Sequence, residues 1–276
     1  MANDPVLITG CSTGIGRATA ERLARRGLIV YATARRLESI EDLAESGCRT
    51  LALDVTDEAS MQAAVAAVEE TEGAVGALVN NAGYSQSGAI EAVPLEDVRR
   101  QFETNVFGLL RMCQLVLPGM RKAGAGRIVN VSSMGGKLVF PGGGAYHGTK
   151  FAVEAISDAM RFEVRGFGVH VSIIEPGLIR TTFGETAVGS VPDEDGPYAE
   201  FNTAVAGLTA RAYQGNLAKL GAGPDAVAKA IEKAITARRP RTRYRVTASA
   251  RVFMAQRAIL PDRAWDAVVG TSYPRP

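Results

Sequence analysis

The segment Thr9-Gly10-Cys11-Ser12-Thr13-Gly14-Ile15-Gly16 follows the apolar triplet Val6-Leu7-Ile8 and opens a helical stretch over residues 15–26. A strand, a glycine turn and a helix in that order restrict the fold more than any other part of the chain. A turn at the end of a first strand leaves backbone N–H groups free at a helix N-terminus, where they can take a phosphate. Gly10 allows the tight turn, Gly14 lets the main chain approach a pyrophosphate, and Gly16 packs the helix against the sheet. Ser12, Thr13 and Ile15 complete the loop. Three residues between the first two glycines depart from the common GxGxxG spacing. The plainer alternative is a set of glycines that serves only a tight loop.

The remaining chain repeats the alternation. Strands are expected at 28–32, 49–53, 77–79, 127–131 and 169–174. Helices are expected at 37–45, from Asp57 as cap to about residue 70, at 95–120, and from the segment around Tyr146 to about residue 165. Short strands apolar on both faces, each followed by a helix, read as a parallel sheet covered on both sides. The expected fold is therefore α/β, a doubly wound parallel sheet of the Rossmann kind in three α/β/α layers. Sheet order 3-2-1-4-5-6 would put a ligand beyond the carboxyl ends of strands one and four. Residues 1–276 read as one domain: a core at 4–181, a lid at 182–223, and a last helix, last strand and C-terminal extension at 224–276.

Composition narrows the function classes. With 46% hydrophobic and 22% charged residues and a formal charge of +2, the chain reads as a globular protein with no pull toward nucleic acid. Three scattered cysteines, Cys11, Cys48 and Cys113, suggest neither a disulfide framework nor a metal site, and they point to a reducing, cytoplasmic location. No leader is expected ahead of the first strand. The most apolar stretch, residues 109–120, is interrupted by Arg111 and Pro118 and is too short to span a bilayer.

The end of the second strand is where an NAD site would place Asp or Glu to accept the ribose hydroxyls. Here Ala34 is followed by Arg35 and Arg36, with no acid until Glu38. Two guanidinium groups suit a 2′-phosphate, so NADP(H) is expected over NAD(H). Simple solvation of both arginines is the alternative. Asp54, in Leu53-Asp54-Val55, could accept from an adenine amino group or cap the following loop. Asn81, Ala82 and Gly83 can line the adenosine side of the cleft. Asn105 reads either as a satisfied buried amide or as a helix distortion with a bound water near Lys150.

Tyr146 and Lys150 stand four residues apart, which stacks them on one helix face. A phenol with a reference pKa of about 10 needs a drop of roughly 2–3 pKa units to work near neutral pH. One ammonium at about 4 Å, in an effective dielectric near 20, supplies about 4 kcal/mol, enough for the roughly 3–4 kcal/mol required. Lys150 alone is thus expected to activate Tyr146, and Ser133 at the end of the fifth strand can converge on the same point.

With these motifs in hand, the order TGxxxGxG, NNAG, Asn, Ser, YxxxK and PG resembles the short-chain dehydrogenase/reductase family over residues 4–181. The resemblance implies a tetrad of Asn105, Ser133, Tyr146 and Lys150. It also implies cofactor contacts from Pro176, Gly177, Ile179 and Thr181. Ser133 would donate to a carbonyl oxygen, Tyr146 deliver a proton, Lys150 hold the ribose hydroxyls, and Asn105 position a water. The opening segment, the loop after Ser133 and the helical tail resemble the 17β-hydroxysteroid and retinol dehydrogenase branch. That implies a steroid- or retinoid-like ketone or secondary alcohol. A ketoreductase of polyketide or other secondary metabolism fits equally, and a non-catalytic NADPH-binding regulator is the competing class.

Other expectations are local. Met134, Leu138, Val139, Phe140 and Pro141 form an apolar substrate wall. The lid pairs a polar loop over 191–197 with a helix bearing Phe201, Val205, Leu208 and Tyr213. Residues 250–270 either close the pocket or rest on a neighbouring subunit. His147 packs at the pocket rim or relays protons, and His170 is structural. Alternate arginines over 238–246 guard an edge strand. The helix after Lys150 is apolar nearly all round, which implies a homodimer or homotetramer.

Overall fold

The computed structural model describes residues 4–192, 195–214 and 219–274; Asp193 and Glu194 of the polar lid loop lie outside the described residues. Seven parallel strands form one sheet in the order β3-β2-β1-β4-β5-β6-β7. They are β1 (Val6–Ile8), β2 (Val30–Ala34), β3 (Arg49–Ala52), β4 (Ala77–Asn80), β5 (Gly126–Val131), β6 (Val169–Glu175) and β7 (Arg243–Arg245). The expected order holds, and β7 extends it beyond β6.

Strand residues alternate between the two faces. On one face, Val6, Ile8, Ala32, Ala34, Val129 and Val131 pack with Ala20 and Leu23 of α1 (Gly14–Arg25). Val227, Ile231 and Ala234 of α8 (Pro224–Thr236) close the same layer. On the other face, Leu7, Tyr31, Leu78 and Ile128 meet α2 (Glu58–Glu72), α4 (Leu109–Ala123) and α5 (Gly144–Val164). The cysteines serve as small apolar fillers. Burial pushes Cys11 and Cys113 up to about 12 and Cys48 to about 11.

Several boundaries differ from expectation for local reasons. β2 starts two residues late because Leu28 N still donates to Leu23 O, closing the end of α1 after Gly27 (φ 77°). The expected helix over 37–45 is two short 3₁₀ turns, Leu37–Ser39 and Glu41–Ala44, which place Ile40 and Leu43 in the core. The long helix over 95–120 is three pieces: α3 (Leu95–Phe102), a π-helical turn (Glu103–Gly108) and α4. Gly108 lies so close to the loop after β3 that a Cβ would come within 2.4 Å of the Val55 carbonyl oxygen. Asp57 caps α2 as expected, accepting from Ala59 N and Ser60 N.

The arginine-bearing edge strand has a different role from solvated guarding. Arg243 Nε lies 3.2 Å from Glu175 on β6, and its Nη2 reaches Glu154 at 3.0 Å and Asp158 at 2.6 Å on α5. Lys137 also pairs with Glu154, at 3.1 Å, and Arg245 with Glu175, at 3.4 Å. Burial, then Glu154 nearby, holds the Glu175 carboxyl above the usual carboxylate range. Because Glu154 and Glu175 are buried, Arg243→Ala removes the cation they share, leaving each with one partner, and should destabilise the protein by about 3 kcal/mol in urea unfolding. Arg241→Ala, at an exposed position, should cost under about 0.5 kcal/mol. Equal losses for the two variants would refute the ion cluster as the anchor of β7.

Candidate active site

The carboxyl ends of the strands open onto a cavity of about 1200 Å³. At one end is the glycine loop. Gly10 (φ 74°) and Gly14 (φ 60°) occupy left-handed backbone conformations. A Cβ on Gly10 would come within 2.9 Å of Ala82 Cα, and one on Gly16 within 2.3 Å of Gly10 O. The loop is tied to β4. Thr9 Oγ1 accepts from Asn81 N and Ala82 N, and Asn81 Nδ2 donates to Thr9 O and Gly10 O, all at 3.0 Å. The α1 N-cap, Thr13, makes no side-chain capping bond, and the first turn holds no acid. The N–H groups at that terminus are therefore uncapped by side chains, a donor set that fits a pyrophosphate.

Gly10, Ser12, Thr13, Gly14, Ile15, Arg35, Asp54, Val55, Asn81, Ala82 and Gly83 all line the cavity, as do Pro176, Gly177, Ile179 and Thr181. Gly16 sits beneath the loop, where its role is helix packing. Arg36 is a correction. It is exposed and off the cavity wall, because the chain is extended there (φ −113°) and successive side chains point oppositely. Asp54 also caps its own loop, accepting from Thr56 N at 2.9 Å and Thr56 Oγ1 at 2.7 Å.

Ser133, Tyr146 and Lys150 share the cavity wall at the other end. Ser133 follows β5, and its Oγ accepts from Gly135 N at 3.0 Å. Lys150 is buried, donates to Val131 O at 2.9 Å and lies 5.8 Å from the Tyr146 ring centroid. Burial pulls this ammonium down to about 8, with Glu154 one turn on opposing the shift. Burial also pushes the Tyr146 phenol up to about 12, and the adjacent Ser133 hydroxyl only partly offsets it. Burial thus works against the lowering expected from Lys150 in the ligand-free site.

Asn105 is buried behind the wall, within the π-helical turn. Its Oδ1 accepts from Tyr84 N at 3.1 Å, and its Nδ2 donates to Tyr84 O at 2.9 Å and Thr149 Oγ1 at 3.1 Å. The satisfied amide of the first sequence reading is present, and of the second the helix distortion is present as a π turn. His147 packs: its Nε2 accepts from Phe140 N at 3.2 Å, and its Nδ1 lies 3.0 Å from Gly135 O. It fixes the loop after Ser133.

Two helices of the expected lid, α6 (Phe183–Gly189) and α7 (Ala199–Gln214), cover the cavity with α9 (Ala248–Ile259) and α10 (Asp262–Gly270). Val205, Leu208 and Tyr213 line it, whereas Phe201 instead stacks on Tyr273, with ring centroids 6.0 Å apart. Of the expected apolar wall, Met134, Phe140 and Pro141 line the cavity, Leu138 is buried behind it, and Val139 is exposed on the outside. The C-terminal segment closes the pocket through Phe253, Trp265 and Val269. Sequence reasoning missed Phe183, whose ring lies 5.6 Å from that of Tyr146, although its position at the lid's start was a usable signal.

In the cofactor-free protein, Lys150 should be an ammonium below about pH 8 and neutral above it. Nitrogen-15 NMR of labelled lysine, assigned with Lys150→Arg, should give that midpoint, and a titration near the ordinary lysine value would contradict the dry environment.

The sequence pattern of the family described as short chain dehydrogenase matches residues 4–189. A 3-ketodihydrosphingosine reductase of Bacteroides thetaiotaomicron is 40% identical over 197 residues, 71% of each chain. An NADPH-dependent 3-dehydrocapnine reductase of Ornithobacterium rhinotracheale is 35% identical over 272 residues, 95% of this chain and 94% of that one. Human 17-beta-hydroxysteroid dehydrogenase type 1 is 36% identical over 260 residues, 90% of this chain and 78% of that one. The solved structure of a short-chain dehydrogenase from Streptomyces avermitilis shares the fold with TM-score 0.80 and 36% identity, over 98% of this chain and 99% of that one.

Proposed function

The chain belongs to the short-chain dehydrogenase family and is an oxidoreductase of CH–OH and C=O groups, and we propose that it is an NADPH-dependent reductase of hydrophobic ketones. The observation that carries this reading is one cavity with an uncapped glycine loop at one end and Ser133, Tyr146 and Lys150 at the other. The glycine loop, Arg35 and the segment from Pro176 to Thr181 would hold the cofactor. Bound there, the nicotinamide supplies the hydride that the carbonyl carbon accepts.

This chain's residues do the rest. Ser133 donates to the carbonyl oxygen and fixes its place. Tyr146 gives its proton to that oxygen as negative charge develops there. A phenol that keeps its proton in the ligand-free site is in the form the reductive direction needs. Lys150 binds the ribose hydroxyls and compensates the charge that Tyr146 acquires. Asn105 positions α5 through Thr149.

Arg35 on the cavity wall, with no acid between it and β2, supports NADPH, and so does the NADPH-dependent relative. Phe140, Val205, Leu208, Phe253 and Trp265 support a lipophilic substrate, in keeping with relatives named for a keto lipid base and a steroid. A cytoplasmic location accords with three free buried cysteines, and no helix among the described residues is long and apolar enough to cross a membrane. Exposed Gly148, Phe151, Ala155, Ala159 and Phe162 form an apolar stripe along α5 that supports a homodimer or homotetramer.

Tyr146→Phe should lower kcat by about 10³-fold while NADPH affinity stays within about twofold. Appreciable turnover by that variant of any ketone accepted by the wild type would remove the proposed acid. Arg35→Asp should weaken NADPH about tenfold or more and favour NADH, read as the ratio of kcat/KM for the two cofactors. An unchanged ratio would move the 2′-phosphate contact elsewhere.

A further inference from the structure

Among the polar residues at the substrate end of the cavity that the proposed reaction does not use, which include Thr186, Thr209, Gln256 and Tyr273, Tyr213 is the one held by a close ring contact beside Tyr146. Tyr213, on α7, stands among apolar neighbours and packs against the cluster of Met134, Leu178, Met254 and Trp265. Its ring lies against Gly184 of α6, where a Cβ would come within 2.8 Å of the ring. That contact fixes the ring, since any larger side chain at Gly184 would displace it. The hydroxyls of Tyr31, Tyr198 and Tyr244 each hold a protein partner. That of Tyr213 has none among the described residues. It faces the same cavity as Tyr146. Burial pushes the Tyr213 phenol far up, and Tyr146 beside it adds to the shift, so it remains a neutral hydroxyl able to donate or accept.

Resting on the reading of the chain as a ketone reductase, we infer that Tyr213 is a specificity-determining residue that hydrogen-bonds a second oxygen of the substrate. The substrate class is thereby narrowed to hydrophobic ketones that carry a hydroxyl or a further carbonyl near the reacting one. A plain hydrocarbon ketone filling this cavity displaces water and leaves the Tyr213 hydroxyl without a partner. A donor shut off from water by the bound substrate selects against the analogue that lacks the matching oxygen. The expected discrimination is about tenfold to a hundredfold. Tyr213 touches substrate at a distance from the transferred hydride, so its contribution falls on KM.

The test compares kcat/KM for ketones of equal chain length: unsubstituted, α-hydroxylated and β-hydroxylated. Wild type should prefer at least one hydroxyketone over the plain ketone by about tenfold or more. Tyr213→Phe should abolish that preference through KM and leave the plain ketone within about twofold. Preference retained by Tyr213→Phe, or absent from wild type, overturns the assignment, and so does an equal loss on all three ketones. NADPH affinity and the melting temperature of Tyr213→Phe check that the fold is intact, and Tyr213→Leu should show the same selective loss. If wild type reduces none of the ketones, the proposed reaction falls while this assignment is still read from binding. Calorimetry of the corresponding diols and alcohol in the presence of NADP⁺ should then show the Tyr213→Phe penalty on the diols alone, and equal affinities would reject it.

Discussion

Everything in the site depends on the seam between β1 and β4. At that seam the chain leaves β1 toward one face of the sheet and leaves β4 toward the other, which opens the crevice. Neighbouring loops that diverge need a tie, and Thr9 and Asn81 supply it with four hydrogen bonds across the gap. The glycine loop is thus held from beneath by side chains while its upper N–H groups stay open. The glycine-loop end of the cavity takes its support from the sheet, and the lid helices are left to shape the other end.

Burial governs the chemical end. The same dry surroundings move Tyr146 and Lys150 in opposite directions, and each shift favours the neutral form. Together they describe a pair that carries one positive charge below about pH 8 and little charge above it. Glu154 beneath Lys150 opposes the loss of its proton, while Lys137 and Arg243 neutralise Glu154 in turn. The catalytic helix is therefore electrically continuous with the edge strand.

What the sequence disclosed is what local geometry demands. Gly10 and Gly14 were legible because only glycine readily takes their backbone angles, and Tyr146 with Lys150 because helical spacing brings them together. Alternation implied the parallel sheet, and the doubly wound fold type implied its order. Contacts between distant segments were not legible. Arg243 meets Glu154 across 89 residues, so its alternating neighbours looked like a solvated edge. The surroundings of Tyr146 were equally invisible, since Phe183 and Tyr213 of α7 come to it from the lid. Arg36 looked equivalent to Arg35 in composition and differs only in the direction the extended chain points it.

One feature of α5 has a longer reach. Tyr146, Lys150, Glu154 and Asp158 recur every fourth residue, so a slowly winding row runs from the proposed proton donor to the carboxylates that grip Arg243. At about 1.5 Å per residue that row is a ruler of about 18 Å. Its near end carries the proposed acid, and its far end seats the strand leading into α9 and α10. Roof and floor of the pocket are gauged from the same rigid rod. The cap can change what the enzyme accepts by exchanging side chains, as at Phe253 or Trp265. It cannot drift bodily against the tyrosine. Divergence in this protein is steered toward resurfacing a chamber of constant height.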